Sequence, residues 1–223
     1  LCGYTGAGPY PQTYFDINDS SLKEQAENKK HSFFARYTKL ITHMKAKINI
    51  PFAGKYILGG KLVSLNDKRG VADAVEVLDF DKNALVLADN GAFINTQTLI
   101  PSAVRKEMYS KKDLSLRLEE ISKYEMHYER LISKNEIKQL PLKRLLIKAS
   151  KTALSKTVAS EDYYFCFLLG KEYALININK NAKENIEFME KSSVLPEPRS
   201  EIIIDERYLF ALLTGVYHWN NAE

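Results

Sequence analysis

Residues 111 to 133 carry charges that alternate in sign around a thin apolar line of Leu114, Leu118, Ile121 and Tyr128, and no other stretch constrains the fold of this chain as strongly. A segment that is polar over most of its surface cannot sit at the centre of a core, so it is expected to form an exposed linking helix. The apolar residues on its two sides must then collapse separately. Two regions are expected: residues 1–108 as a mixed α/β unit, and residues 109–223 as the helical linker followed by a smaller α+β module. With 223 residues, 45% of them hydrophobic, the chain can fill two modest cores.

In the first region, Tyr4 to Gln12 holds Gly6, Gly8, Pro9 and Pro11, residues that favour a loop. Ser21 and Glu24 then have the spacing of a capping box. Phe33, Phe34, Tyr37, Leu40, Ile41 and Met44 recur at helical spacing, which predicts an amphipathic helix from about Leu22 to Lys47. Ile48-Asn49-Ile50 alternates like a short strand and stops at Pro51, implying a βαβ-like layer. Ala84 to Leu87 reads as a buried strand, Asp89-Asn90-Gly91 as a tight turn, and Ala92 to Ile94 as a strand pairing back on the first.

In the second region, Leu142, Leu145, Leu146, Ala149 and Ala153 form one helical stripe, expected to pack its leucines inward. Tyr163–Leu169 and Tyr173–Ile178 flank a Gly170-Lys171-Glu172 turn and predict a hairpin. Ile186–Met189 and Glu201–Ile204 are further strands, and Asp205 caps a last helix through Tyr208, Leu209 and Leu212 that ends at Gly215.

No run approaches the roughly 18 uninterrupted apolar residues of a membrane span. Cys2 and Cys166 are the only cysteines, which excludes a disulfide scaffold and reads as cytoplasmic. His31, His43, His127 and His218 are dispersed, so no metal site and no catalytic residue is assigned. Gly54 with Gly59-Gly60-Lys61 lacks the spacing and the hydroxyl of a phosphate-binding loop. Asp16, Asn18, Ser20 and Glu27 lack the glycine of a calcium loop, because Ser21 stands there. No nucleophile elbow occurs, and Cys166 reads as a small core residue. Leu1 to Tyr4 reads as a cut through a strand and Tyr217 to Glu223 as a second cut, so both ends are expected to be fragment boundaries.

Gly3-Tyr4-Thr5-Gly6-Ala7-Gly8-Pro9-Tyr10-Pro11 and Ile50-Pro51-Phe52-Ala53-Gly54-Lys55-Tyr56, separated by a long Lys-rich helix, carry a resemblance. In order and separation they resemble the carboxyl half of metallo-β-lactamase-superfamily proteins. The branch is that of L-ascorbate-6-phosphate lactonase, N-acylphosphatidylethanolamine phospholipase D and the hydrolase-like part of CMP-N-acetylneuraminate hydroxylase. The resemblance spans about residues 1 to 105 and extends more weakly to Tyr208-Leu209 and Leu213-Thr214-Gly215.

It implies the second half of an αβ/βα sandwich. The missing amino-terminal half would carry His-x-His-x-Asp-His and bind zinc, iron or manganese in the intact parent. Where relatives place a bridging aspartate this chain has Cys2-Gly3, and where they place a late histidine it has Phe52-Ala53. No cofactor is therefore expected in this chain, which is expected to be inactive alone. Tyr4, Thr5, Gly6, Gly8, Tyr10, Phe52, Gly54 and Tyr56 are the residues expected to line a substrate cleft. Residues 1–108 are expected to need a partner surface, the missing half or a second copy.

Between Lys134 and Lys156 seven basic residues face Glu136 alone, a net +6 in a chain of net +4. Lys143, Arg144, Lys148 and Lys151 are the expected contacts with an anionic lipid surface or another polyanion. The strand-rich tail resembles sterol-carrier-like appendages, so the alternative function is a non-enzymatic module for lipid or an apolar ligand. Nucleic acid is not favoured, because charge is not interleaved with aromatic platforms.

Overall fold

The computed structural model describes residues 1–6, 8–52, 56–88 and 91–218. They form mixed helices and sheets in two compact units, Leu1–Glu125 and Met126–Ala222.

In the first unit, β1 (Cys2–Gly3) and β2 (Pro51–Phe52) run parallel, Cys2 opposite Pro51 and Gly3 opposite Phe52, with helix α1 (Leu22–Met44) as the connection. Further bonds lengthen this pairing: Cys2 N donates to Ile50 O at 2.9 Å and Tyr4 N to Phe52 O at 3.3 Å. On the other side Asn49 bridges Ala84 in parallel, and Leu85 N donates to Asn49 O at 2.8 Å. The βαβ-like layer thus has three parallel segments. Cys2, Tyr4, Tyr37, Ala72, Val75, Val77 and Val86 are its buried core, with Phe34 and Ile41 of α1 packed on them.

Two local expectations are corrected. Ser21 makes no side-chain cap; its N and Oγ both bond to Asp19 Oδ1, at 2.8 and 2.7 Å, because the aspartate two residues earlier closes a local turn first. Residues 92–94 do not pair with 84–87. Ser102 N donates to Phe93 O and Asn95 N to Ile100 O, while Arg105 N donates to Val86 O, so both segments pair with 100–105 across a turn at 95–99. Asn95 Oδ1 accepts Gln97 N and Thr98 N there, closing that turn locally. Of that expected turn, Asp89 and Asn90 lie outside the described residues.

The expected single linking helix is two. Helix α2 (Lys111–Ser122) is capped by Ser110, and a short α3 (His127–Leu131) starts afresh with Glu129 Oε2 accepting Met126 N at 3.0 Å. The charge pattern puts α2 at the head of the second region; instead it packs against the 3-10 helix Gly60–Lys68 of the first unit, burying Ile121.

The second unit holds helix α4 (Leu142–Lys156) and strands β3 (Tyr164–Leu169), β4 (Glu172–Asn177), β5 (Ile186–Glu190) and β6 (Arg199–Ile202), followed by α5 (Glu206–Thr214). The sheet order is β5-β4-β3-β6, an antiparallel meander with β6 added in parallel beside β3. Gly170, at φ 57°, supplies the left-handed residue the tight β3–β4 turn needs. Strand alternation sends Phe167, Leu169, Ala174 and Ile176 to one face, where Leu142 and Leu146 of α4 and Leu209 of α5 bury them. Cys166, Tyr173 and Leu175 face the other way into a smaller cluster closed by Leu195. Asp205 caps α5 and Gly215 ends it, as the sequence predicts.

Candidate functional site

One face of α1 builds the loop that leaves β1. Gln25, Lys29, Phe33 and Tyr37 recur every four residues and so stand in one row along the helix. Gln25 Oε1 accepts the Tyr10 hydroxyl at 2.5 Å, and Lys29 Nζ donates to Gly8 O at 2.8 Å and Tyr10 O at 2.5 Å. Phe33 lies on Gly6 so closely that a Cβ there would come within 2.5 Å of its ring. Tyr37 completes the row in the core, donating to buried Asp81 at 2.9 Å. Burial and that carboxylate push the Tyr37 phenol pKa up. The glycine loop is therefore moored to the helix residue by residue.

Arg69, which ends the 3-10 helix Gly60–Lys68, packs against Tyr56 of the loop that follows β2. Its side chain is enclosed, the residue only 4% exposed, and burial lowers its pKa. Its Nε donates to Asn66 O at 3.0 Å, its Nη1 donates to Tyr56 O, and the guanidinium lies 4.6 Å from the Tyr56 ring centre. No carboxylate among the described residues is within ion-pair distance. Gly70 fixes the position: at φ +56° it brings the chain so close to α1 that a Cβ would meet Ala26 O at 2.2 Å. Asn66 braces the 3-10 helix by donating to Leu58 O and Val63 O, both at 2.9 Å.

Gln12, on the glycine loop, places Nε2 3.5 Å from the Tyr56 hydroxyl, while its buried Oε1 has no partner among the described residues. Thr5 Oγ1, also buried on that loop, has none either. Buried polar atoms normally find partners, so Arg69, uncompensated by any carboxylate among the described residues, is the group here that an anionic ligand would stabilise; Gln12 Oε1 and Thr5 Oγ1 are two further buried oxygens without a partner among those residues.

The structure distributes the sequence-predicted cleft residues unevenly. Thr5 and half-buried Tyr56 belong to the loops just described. Tyr4 is a core residue packed with Cys2 and Tyr37. Gly6 and Gly8 serve the mooring on α1, Tyr10 is a rim aromatic against Tyr14 and Phe15, and Phe52 is exposed. Gly54 lies outside the described residues. Sequence reasoning misses Arg69 and Gln12, because a lone arginine in Asp67-Lys68-Arg69-Gly70 has the look of a solvated turn.

The residues present do not fit the metal of the superfamily. Cys2 is a buried core thiol, Phe52 offers no donor atom, and no three His, Cys, Asp or Glu side chains converge among the described residues. Nor is any helix among them long and apolar enough to cross a membrane. Cys166 is fully buried, and burial raises its thiol pKa.

On α4, Lys143 ion-pairs with Glu172 at 2.7 Å over the Phe188 ring, whereas Arg144, Lys148 and Lys151 are exposed with no ion-pair partner among the described residues. Comparison with protein-family models, with curated proteins and with solved structures gives no match to this chain.

Proposed function

We propose that the first unit forms one wall of the substrate cleft of a hydrolase-like protein of the metallo-β-lactamase type, and that this wall receives an anionic group of the substrate at Arg69. The observation that carries the reading is a buried guanidinium with no carboxylate in ion-pair distance among the described residues, held by the carbonyls of Asn66 and of Tyr56, the latter on the loop that follows β2. Taking a cation out of water costs several kcal/mol unless an opposite charge compensates it. An oxyanion is the ligand chemistry that does so, and a planar guanidinium binds it in two-pronged fashion. Hydrolysis itself is assigned to a histidine-bearing half outside these residues, so this chain alone binds and does not turn over.

Thermal unfolding with inorganic phosphate at matched ionic strength tests the anion site. Phosphate at about a hundred times its dissociation constant should add about 2.7 kcal/mol of stability. Arg69→Met should lose that gain. An equal gain in both proteins defeats the anion site. The hydrolase assignment is tested separately by reading the codons upstream of Leu1. An in-frame His-x-His-x-Asp-His is expected, and an initiator codon directly before Leu1 overturns it.

A further inference from the structure

A groove of about 410 Å³ runs between α4 and α5 in the second unit. Its floor is Leu145, Ala149 and Ala153 of α4 with Leu213 of α5, all half-buried, and Lys148 and Lys156 stand exposed on its rim. Leu145 thus differs from Leu142 and Leu146: it is not in the cluster beneath the hairpin but lines this groove.

From Leu145 to Lys156 the groove follows α4 for about 16 Å, the length of three helical turns. Small side chains at 149 and 153 lower the floor where a third helix would approach. Helix α4 carries five basic residues and no acidic one, and neither Lys148 nor Lys156 has an ion-pair partner among the described residues.

We infer that this groove docks an acidic amphipathic helix of a partner protein, its apolar residues on the Leu145–Ala149–Ala153–Leu213 floor and its carboxylates on Lys148 and Lys156. Charge complementarity selects the sign of the partner, and the recessed floor selects its shape. A bilayer fits less well. Surface helices that insert into lipid project their apolar face, whereas α4 commits Leu142 and Leu146 to the core and keeps Leu145, Ala149 and Ala153 half-buried, leaving Ile147 as its one exposed large apolar residue among the basic ones. The inference is independent of the anion site in the first unit.

The test is fluorescence anisotropy of the purified chain with two labelled synthetic peptides at about 0.15 M salt. One is a helix with leucines along one face and glutamates beside them; the other has the same composition in scrambled order. The patterned peptide should bind at least about tenfold more tightly. Ala149→Glu should remove that advantage, and Lys148→Glu with Lys156→Glu should weaken both peptides about tenfold or more. Thr152→Glu, at an exposed groove position, serves the same purpose as Ala149→Glu if that variant unfolds. Equal binding of the two peptides overturns the inference. So does phosphatidylserine vesicle binding that displaces the patterned peptide and falls with the lysine variants but not with the floor variants, the mark of bare electrostatic attraction to a lipid surface.

Discussion

Arg69 in the first unit and Arg207 in the second are equally enclosed, each 4% exposed, yet they are held by opposite means. Arg207 donates from Nη2 to Asp205 Oδ2 at 2.8 Å and from Nε to Asp205 Oδ1 at 2.9 Å. It also reaches Glu129 Oε1 at 3.3 Å and Ile132 O at 3.4 Å. Hydrogen bonding to Asp205 raises its pKa, whereas burial lowers that of Arg69. The first unit is able to pair a guanidinium, since Arg105 meets buried Asp73 at 2.9 Å. What distinguishes Arg69 is therefore its own position. A cation with two carboxylates is a clasp, here joining α3 to α5; a cation with only carbonyls and a ring leaves attraction over for something else.

The sharpest way to break this contrast is to remove the clasp. Arg207→Met takes the guanidinium away from Asp205 and Glu129, and because both carboxylates keep backbone donors and some contact with water the cost should fall near the low end for a broken buried pair, about 3 kcal/mol. A urea midpoint unchanged from wild type would show that the clasp is decorative. A somewhat smaller effect is expected at the buried carboxylate of the first unit. Asp81 is satisfied by neutral donors, Tyr37 Oη and Asn49 Nδ2 at 2.9 Å each and Asn83 N at 2.9 Å. Tyr37→Phe removes one of them and should destabilise by about 1–3 kcal/mol, read in the same denaturation experiment.

Arg69→Met should do least to stability. It removes a buried charge without stranding a carboxylate, so unfolding in the absence of phosphate should shift by no more than about 1 kcal/mol. A loss as large as that of Arg207→Met would make Arg69 a structural cation and dissolve the comparison.

The smallest effect is one of pH. Asp162 accepts from Asn177 Nδ2 at 2.8 Å and Asn179 Nδ2 at 2.9 Å, and the Asn177 bond first, then the Asn179 bond, lowers its pKa. A depressed carboxyl contributes stability that is present above its unfolded value and lost as pH falls through the folded one. The melting temperature of Asp162→Asn should therefore fall less than that of wild type as the medium is acidified below about pH 4. Parallel curves for the two proteins would show that this carboxylate adds nothing.

Elements fixed by neighbours in the chain are legible in the residues alone. The hairpin around Gly170, the Asp205 cap, the Gly215 stop and the Phe34 to Ile41 face of α1 each follow from periodicity or local hydrogen bonding, and each stands in the structure. Where two local solutions compete, the pattern points to the wrong one. Asp19 draws Ser21 into a local turn in place of the expected cap, and residues 92–94 pair across the Asn95 turn and not with 84–87. The pairing of residues 86–88 with 103–105 joins the end of the expected 84–87 strand to a segment whose own strand signal is too short to show.

The sequence by itself determined the hairpin around Gly170, the helix from the Asp205 cap to Gly215 and where the glycine loop stands. Tertiary structure alone decided that Tyr4 is core and that Arg69 is buried with no carboxylate beside it among the described residues. It also decided that Leu145 lines a groove while Leu146, one residue away, is enclosed. The physical reason is range. Backbone propensity and amphipathic period act over a few residues, so they can be read along the chain. The burial of a charge depends on Gly70 approaching Ala26 and on Tyr56 turning its ring and carbonyl to Arg69, contacts between segments that composition leaves unrelated.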